Sequence, residues 1–344
     1  MKKIWISILV VVLLLLLGIG YKAYRVLLAP NTSFAEKEAV VYIETGSDFS
    51  DVLHRLSPLL EDRETFAIVA ERMHYPQNVK AGKYLIKKGA NNVDIIRCLR
   101  NRNTPVRVKF NNQERIEDLA GRIASQIEPD STALLRAFLD PIFLSENGFS
   151  DATALAMYLP NTYEFFWNTS AEKFRDRMLL SYKHFWNPER KAAAEAQGLT
   201  PVEVSILASI VQKETSKVEE RPRIAGVYLN RLHDRIMLQA DPTAIFAMKH
   251  YLNDYSLVIK RVTGVHTRLE SPYNTYQNYG LPIGLIAMPD LSSLEAVLHP
   301  EVHDYYFFVA DPENYGYHKF SRTYLQHTES AKKYWNWANE NGVK

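Results

Sequence analysis

The sequence predicts an α+β protein in three parts: an N-terminal transmembrane helix, a small α+β module and a larger mixed α/β domain. An apolar run from Ile4 to Gly20 predicts the first part. Strand-like and helix-like hydrophobic periods alternating between residues 39 and 100 predict the second. Short, capped apolar helices after residue 200, interrupted by a loop rich in Gly, Pro and Asn, predict the third. The expected boundaries are 1–30 for anchor and linker, 38–105 for the module and 106–344 for the remainder, and 344 residues suit that number of domains.

Lys2 and Lys3 precede the apolar run, which lies at the short end of the range for a bilayer-crossing helix. A cleaved signal peptide is the competing reading, but Tyr21-Lys22-Ala23-Tyr24-Arg25 follows in place of an Ala-x-Ala site, and no cysteine follows for lipid attachment. The run therefore reads as an uncleaved, single-pass anchor in the plasma (inner) membrane with a cytoplasmic N-terminus. The rest of the chain is then expected in the periplasm or outside the cell, although Lys22 and Arg25 weaken the charge asymmetry.

Composition narrows the function classes. Lys and Arg number 41 against 39 Asp and Glu, a net +2, so nucleic acid is not an expected partner. Cys98 is the only cysteine, which excludes an intramolecular disulfide and a cysteine metal cluster. His299 and His303 are four apart but enclose Pro300 without a His-Glu-x-x-His pattern, and no Gly-rich phosphate loop occurs, so neither metal nor cofactor is expected. Ser170-x-x-Lys173 and Ser330-x-x-Lys333 match a penicillin-binding motif whose Lys-Thr-Gly partner is missing, and both read as coincidence.

After a polar linker through Glu38, Ala39–Ile43 has strand character, Gly46-Ser47-Asp48 a turn, and Phe49, Val52, Leu53 and Leu56 helical spacing. Helices at Arg63–Met73 and Val93–Arg100 and a strand at Gly82–Ile86 complete a small α+β unit. Val106–Phe110 and Ile116, Leu119, Ala120 and Ile123 repeat the first strand and helix 67 residues on (116 − 49), a weak internal repeat. Farther along, the rings of Tyr163, Phe165, Phe166 and Trp167 suit either sugar stacking or a core.

Thr200 to Thr215 is the best-defined stretch. Thr200 can cap, Pro201 suits the first helical position and Glu203 completes a capping box. Val204, Leu207, Ala208 and Val211 then form an inward stripe that continues to Glu214. A glutamate at the buried edge of such a stripe loses hydration and holds its proton toward neutrality, as a general acid must. The alternative is a helix-end glutamate facing solvent or paired with Lys217 or Arg221.

The run Ala208-Ser-Ile-Val-Gln-Lys-Glu214-Thr215 resembles the signature of the YceG-like family, the endolytic murein transglycosylases. Asn230-Arg231-Leu232, Leu238–Thr243, Tyr273–Tyr276, Gly280–Gly284, Phe308–Asp311 and His318-Lys319-Phe320 resemble its later blocks, in order. Met157–Tyr163 resembles a further block, with Asn161 in place of an aspartate, so any role of that aspartate does not carry over. The resemblance implies that Glu214 is catalytic and that the small module is LysM-like, a fold associated with glycans containing N-acetylglucosamine; a spacer is the equal alternative. It also implies endolytic cutting and a link to termination of nascent strands. Implied partners are peptidoglycan glycan strands, penicillin-binding proteins and the division or elongation machinery.

The expected reaction is lytic transglycosylation, a lyase reaction on the β-1,4 bond between N-acetylmuramic acid and N-acetylglucosamine. Glu214 would protonate the leaving oxygen and then deprotonate the muramic 6-hydroxyl, giving a 1,6-anhydro end without a second carboxylate. Expected substrate contacts are Gln239, Asp241, Asn274, Thr275, Tyr276 and His318. Against this, Asp241 followed by Pro242 favours a helix cap, and a lone histidine is more often structural. The rival readings are a hydrolase pairing Glu214 with Glu219, Glu220 or Asp241, and a glycan-binding scaffold without catalysis.

Overall fold

The computed structural model describes residues 2–340, with side chains from Ile4 onward. Met1, residues 341–344 and the side chains of Lys2 and Lys3, on which the N-terminal charge reading rests, lie outside the described residues. The chain is a mixture of helix and sheet in which helix dominates, and it forms two compact units. One comprises residues 1–108, 126–129 and 163–170; the other comprises 109–125, 130–162 and 171–344. Two later segments, 126–129 and 163–170, belong with the first unit.

In the first unit the N-terminal helix α1 (Lys2–Leu27) runs past Gly20, and Ile4–Leu27 has the length of a membrane span, with an 18-residue window of mean hydropathy 2.8. The segment after it was expected to be a polar linker, yet Ala29, Asn31 and Thr32 are buried. Asn31 is the reason. Its Oδ1 accepts from the Asp62 N–H at 2.7 Å, and its Nδ2 donates to Asp62 O at 2.8 Å and to Asn92 Oδ1 at 2.6 Å.

Strand β1 (Glu38–Ile43) pairs antiparallel with β2 (Gly82–Lys87), from Glu38 opposite Lys87 to Ile43 opposite Gly82. Their period-two pattern turns Val41, Ile43, Tyr84 and Ile86 inward and leaves Val40 and Tyr42 exposed. Helices α2 (Phe49–Leu56), α3 (Arg63–Arg72) and α4 (Asn92–Asn101) cover that face, each with a side-chain cap, from Asp48, Asp62 and Asn91. Strand β3 (Pro105–Phe110) pairs with β4 (Asn161–Phe166). The repeat therefore does not close into a second copy of the module, because β3 takes its partner from the aromatic stretch. Phe165 there is buried, and Trp167 lies 4.8 Å from the Tyr42 ring.

The second unit contains α5 (Ile116–Ala124), α6 (Ser131–Phe138), α7 (Pro141–Glu146), α8 (Ala171–Phe185), α9 (Pro188–Ala196) and α10 (Pro201–Glu214). After these come α11 (Arg221–His233), α12 (Asp241–Leu252), α13 (Gly264–Thr267), α14 (Leu291–Leu298) and α15 (Tyr324–Glu340). Its own hairpin, β5 (Phe307–Ala310) with β6 (His318–Ser321), is only half-buried and packs against α15. The unit mixes helix and sheet with helix dominating: its strand residues, among those described, are the β5–β6 hairpin and the ends of β3 (109–110) and β4 (161–162).

Helix α10 lies at the centre. Thr200 and Glu203 form the expected capping box, and α9, α11, α12 and α14 pack around it. Not one stripe but every residue from Val204 to Ser209, and on to Val211, is buried. Ser205 and Ser209 tolerate this because their hydroxyls donate to Pro201 O at 3.0 Å and Ile206 O at 2.7 Å.

Candidate active site

Glu214 is the last residue of α10, at the point where the helix emerges from its neighbours. Its Oε1 accepts a hydrogen bond from the Tyr228 hydroxyl, presented by α11. Oε2 bonds no protein group and still reaches the surface. Burial pushes the carboxyl up from 4.5 to about 7; the negative charge of Asp241 adds to the rise, while the Tyr228 hydroxyl, His318 and Arg231 restrain it. One oxygen is thus clamped, the other is open, and the proton is available near neutrality.

Asp241 was expected to cap α12, and it does not. Ala240 is the cap residue and makes no side-chain cap bond, whereas Asp241 is already inside the first turn. Its Oδ1 instead accepts from the Tyr276 hydroxyl at 2.6 Å. Tyr276 reaches it because the loop is stitched to the start of α12: Gln239 N–H donates to Thr275 O at 3.1 Å, and Ala240 N–H to Thr275 Oγ1 at 3.0 Å. Burial and the adjacent Asp241 push the Tyr276 phenol upward, so it stays a donor.

The predicted residues therefore divide. Glu214, Asp241, Tyr276 and His318 form one electrostatically linked group. Asn274 and Thr275 are buried and hold the loop: Asn274 Nδ2 faces the carbonyls of His266, Thr267 and Leu269, its Oδ1 accepts from Tyr276 N–H, and Thr275 Oγ1 meets Thr243 Oγ1 at 2.8 Å. They shape the site rather than offer free polar atoms to it. Gln239 has an exposed side chain on a left-handed backbone, φ 48°. The pairing of Glu214 with Lys217 or Arg221 does not occur, since Arg221 binds Asp290 at 2.8 Å. Glu219 accepts from the Tyr317 hydroxyl.

Two contributors, Tyr228 and Arg231, went unassigned in the sequence, and a third, Glu220, was named there only as a possible partner carboxylate of a hydrolase. Tyr228 had the spacing of a core residue, and its ring is indeed buried; nothing in a helical period marks where a hydroxyl ends. Arg231, also buried, donates to the carbonyls of Tyr306 at 2.6 Å and Leu238 at 2.8 Å, a fixed cation behind the site with no carboxylate of its own. Glu220 is 5% exposed and faces His318 with both oxygens. An arginine continuing the otherwise apolar face of Ile224, Val227 and Tyr228 was the available signal.

The YceG-like family model matches residues 41–333, and the chain belongs to the YceG-like family. A Streptococcus pneumoniae (strain D39 / NCTC 7466) protein named endolytic murein transglycosylase is 28% identical over 344 residues, covering 90% of this chain and 61% of its own length. A Bacillus subtilis (strain 168) protein of the same name is 26% identical over 346 residues, covering 95% and 93%. The chain thus spans about three fifths of the pneumococcal relative (61%) and nearly all of the Bacillus one. The crystal structure of a YceG-like protein from Listeria monocytogenes superposes with a TM-score of 0.57 at 25% identity, covering 86% of this chain and 99% of that one.

Proposed function

We propose that the chain is a membrane-anchored lytic transglycosylase that cuts the β-1,4 bond between N-acetylmuramic acid and N-acetylglucosamine within peptidoglycan strands. The observation that carries this reading is the two-sided environment of Glu214, with Oε1 gripped by Tyr228, Oε2 open and the proton retained to about pH 7. The name shared by the streptococcal and Bacillus relatives supports the substrate class and reaction. Oε2 would protonate the departing glycosidic oxygen and, once ionised, accept the proton of the muramic 6-hydroxyl as that oxygen closes on its own anomeric carbon. The product carries a 1,6-anhydro ring. Gln239 and Tyr276 would contact the sugars, and the small module, in its LysM-like reading, would hold the strand.

Asp241 gives a second reading some support, because a carboxylate is present beside Glu214 after all. Mass spectrometry of muropeptides from purified glycan strands separates the two. Transglycosylation gives ends one water lighter than reducing ends and inert to borohydride; reducible muramic ends as the main product would transfer the assignment to a two-carboxylate hydrolase. The anchor, with the N-terminus cytoplasmic and the second unit outside, is tested by fractionation. The full chain should stay with membranes and deletion of residues 1–20 should release it, while a naturally shortened soluble form would show cleavage instead. Association with penicillin-binding proteins and strand termination follow from this reading as further proposals.

A further inference from the structure

Glu220 ends a single 3-10 turn, Val218–Glu220, just before α11. Its Oε1 accepts from the His318 backbone N–H at 2.8 Å, and its Oε2 lies 2.7 Å from His318 Nδ1. A carboxylate has only acceptor sites, so the imidazole proton must sit on Nδ1. In the neutral ring Nε2 is then an acceptor, and no protein group bonds it. The ring packs edge-on to Phe308 at 5.2 Å, Phe308 packs edge-on to Tyr228 at 5.8 Å, and Tyr228 holds Glu214. His318 lies within electrostatic reach of Glu214, and its side chain keeps 15% exposure.

We propose that Glu220 is a positioning residue: it fixes the tautomer and orientation of His318 so that Nε2 accepts a hydrogen bond from an N–H or O–H donor of the bound sugar beside Glu214. This rests on the reading of Glu214 as the acid of a glycan-cleaving site. The bond from Glu220 to the His318 backbone also staples the 3-10 turn to β6, but that structural role makes no demand on the ring nitrogens.

Nitrogen-15 NMR of the full chain in detergent, with labelled histidine, reads the tautomer without turnover. His318 should carry its proton on Nδ1 in the neutral ring. In Glu220→Gln the amide NH2 can donate to Nδ1, so the proton should move to Nε2 and turn the acceptor into a donor. On purified glycan strands Glu220→Gln and His318→Gln should each raise KM about tenfold, one hydrogen bond's worth, with thermal unfolding near that of the wild type. Glu220→Gln added to His318→Gln should cost little more, because the first acts through the second. An Nε2–H tautomer in the wild type, or fully additive losses in the double variant, would overturn the proposal. Neither result depends on Glu214; wild-type turnover by Glu214→Gln would instead remove the reading on which the proposal rests.

Discussion

Both units bury polar side chains, but in opposite ways. In the first, Asn31 and Asn92 meet at 2.6 Å, and Asn92 Nδ2 continues to Val26 O at 2.8 Å and Thr65 Oγ1 at 3.2 Å. These amides are neutral, and almost every donor and acceptor has its complement. In the second, Glu214 has one hydroxyl partner, an open oxygen and a negative neighbour. The difference teaches that burial alone does not mark a reactive group. What marks it is surroundings that leave two protonation states close in free energy.

That comparison breaks most directly at Glu214. Glu214→Gln keeps the shape and removes the titratable proton, so turnover should fall about a hundredfold or more without loss of folding, checked by muropeptide release alongside thermal unfolding. Wild-type cleavage by the folded variant would exclude Glu214 from the chemistry. The same variant sharpens the stability side. The folded chain holds this proton up to about pH 7, against 4.5 for an ordinary glutamate. The stabilising contribution is therefore complete below about pH 4.5 and is lost as pH rises toward 7, by up to about 3 kcal/mol. Unfolding free energies measured across that window should slope downward in the wild type and less so in Glu214→Gln.

In the first unit the expected loss is structural. Asn92→Ala leaves Asn31 Nδ2 and Val26 O short of a partner and should cost about 2 kcal/mol, measured by denaturant titration. A cost near zero would mean that water replaces the amide. Smaller, and opposite in sign to each other, are two shifts of the pH–rate profile. Tyr228→Phe removes a donor that favours the carboxylate and should move the alkaline limb to higher pH; Asp241→Asn removes a like charge and should move it lower. Asp241→Asn should change stability by less than about 1 kcal/mol, since Asp241 caps nothing.

Local signals carried much of the fold. The capping box at Thr200 and Glu203, the strand alternation at Val41 and Ile43, and the helical spacing of Val52 and Leu56 each depend on residues a few positions apart, and the structure follows them. The apolar run was legible for the same reason, although α1 continues to Leu27. The internal repeat misled, because a strand's pattern does not name its partner: β3 found β4.

Of the candidate site, the sequence by itself determined that an apolar helix ends on Glu214 and, through ordered resemblances, which family the chain belongs to. Tertiary structure alone decided that Asp241 turns away from capping toward Tyr276, that Asn274 and Thr275 serve the loop, and that Tyr228 and Glu220 face Glu214 and His318. Helix period and capping are set by neighbours within about four residues, whereas these contacts join positions up to 98 apart, Glu220 to His318 being the longest of them. A proton's affinity depends on every charge and every desolvating atom around it, and those come together only when α10, α11, α12 and the β5–β6 hairpin have packed.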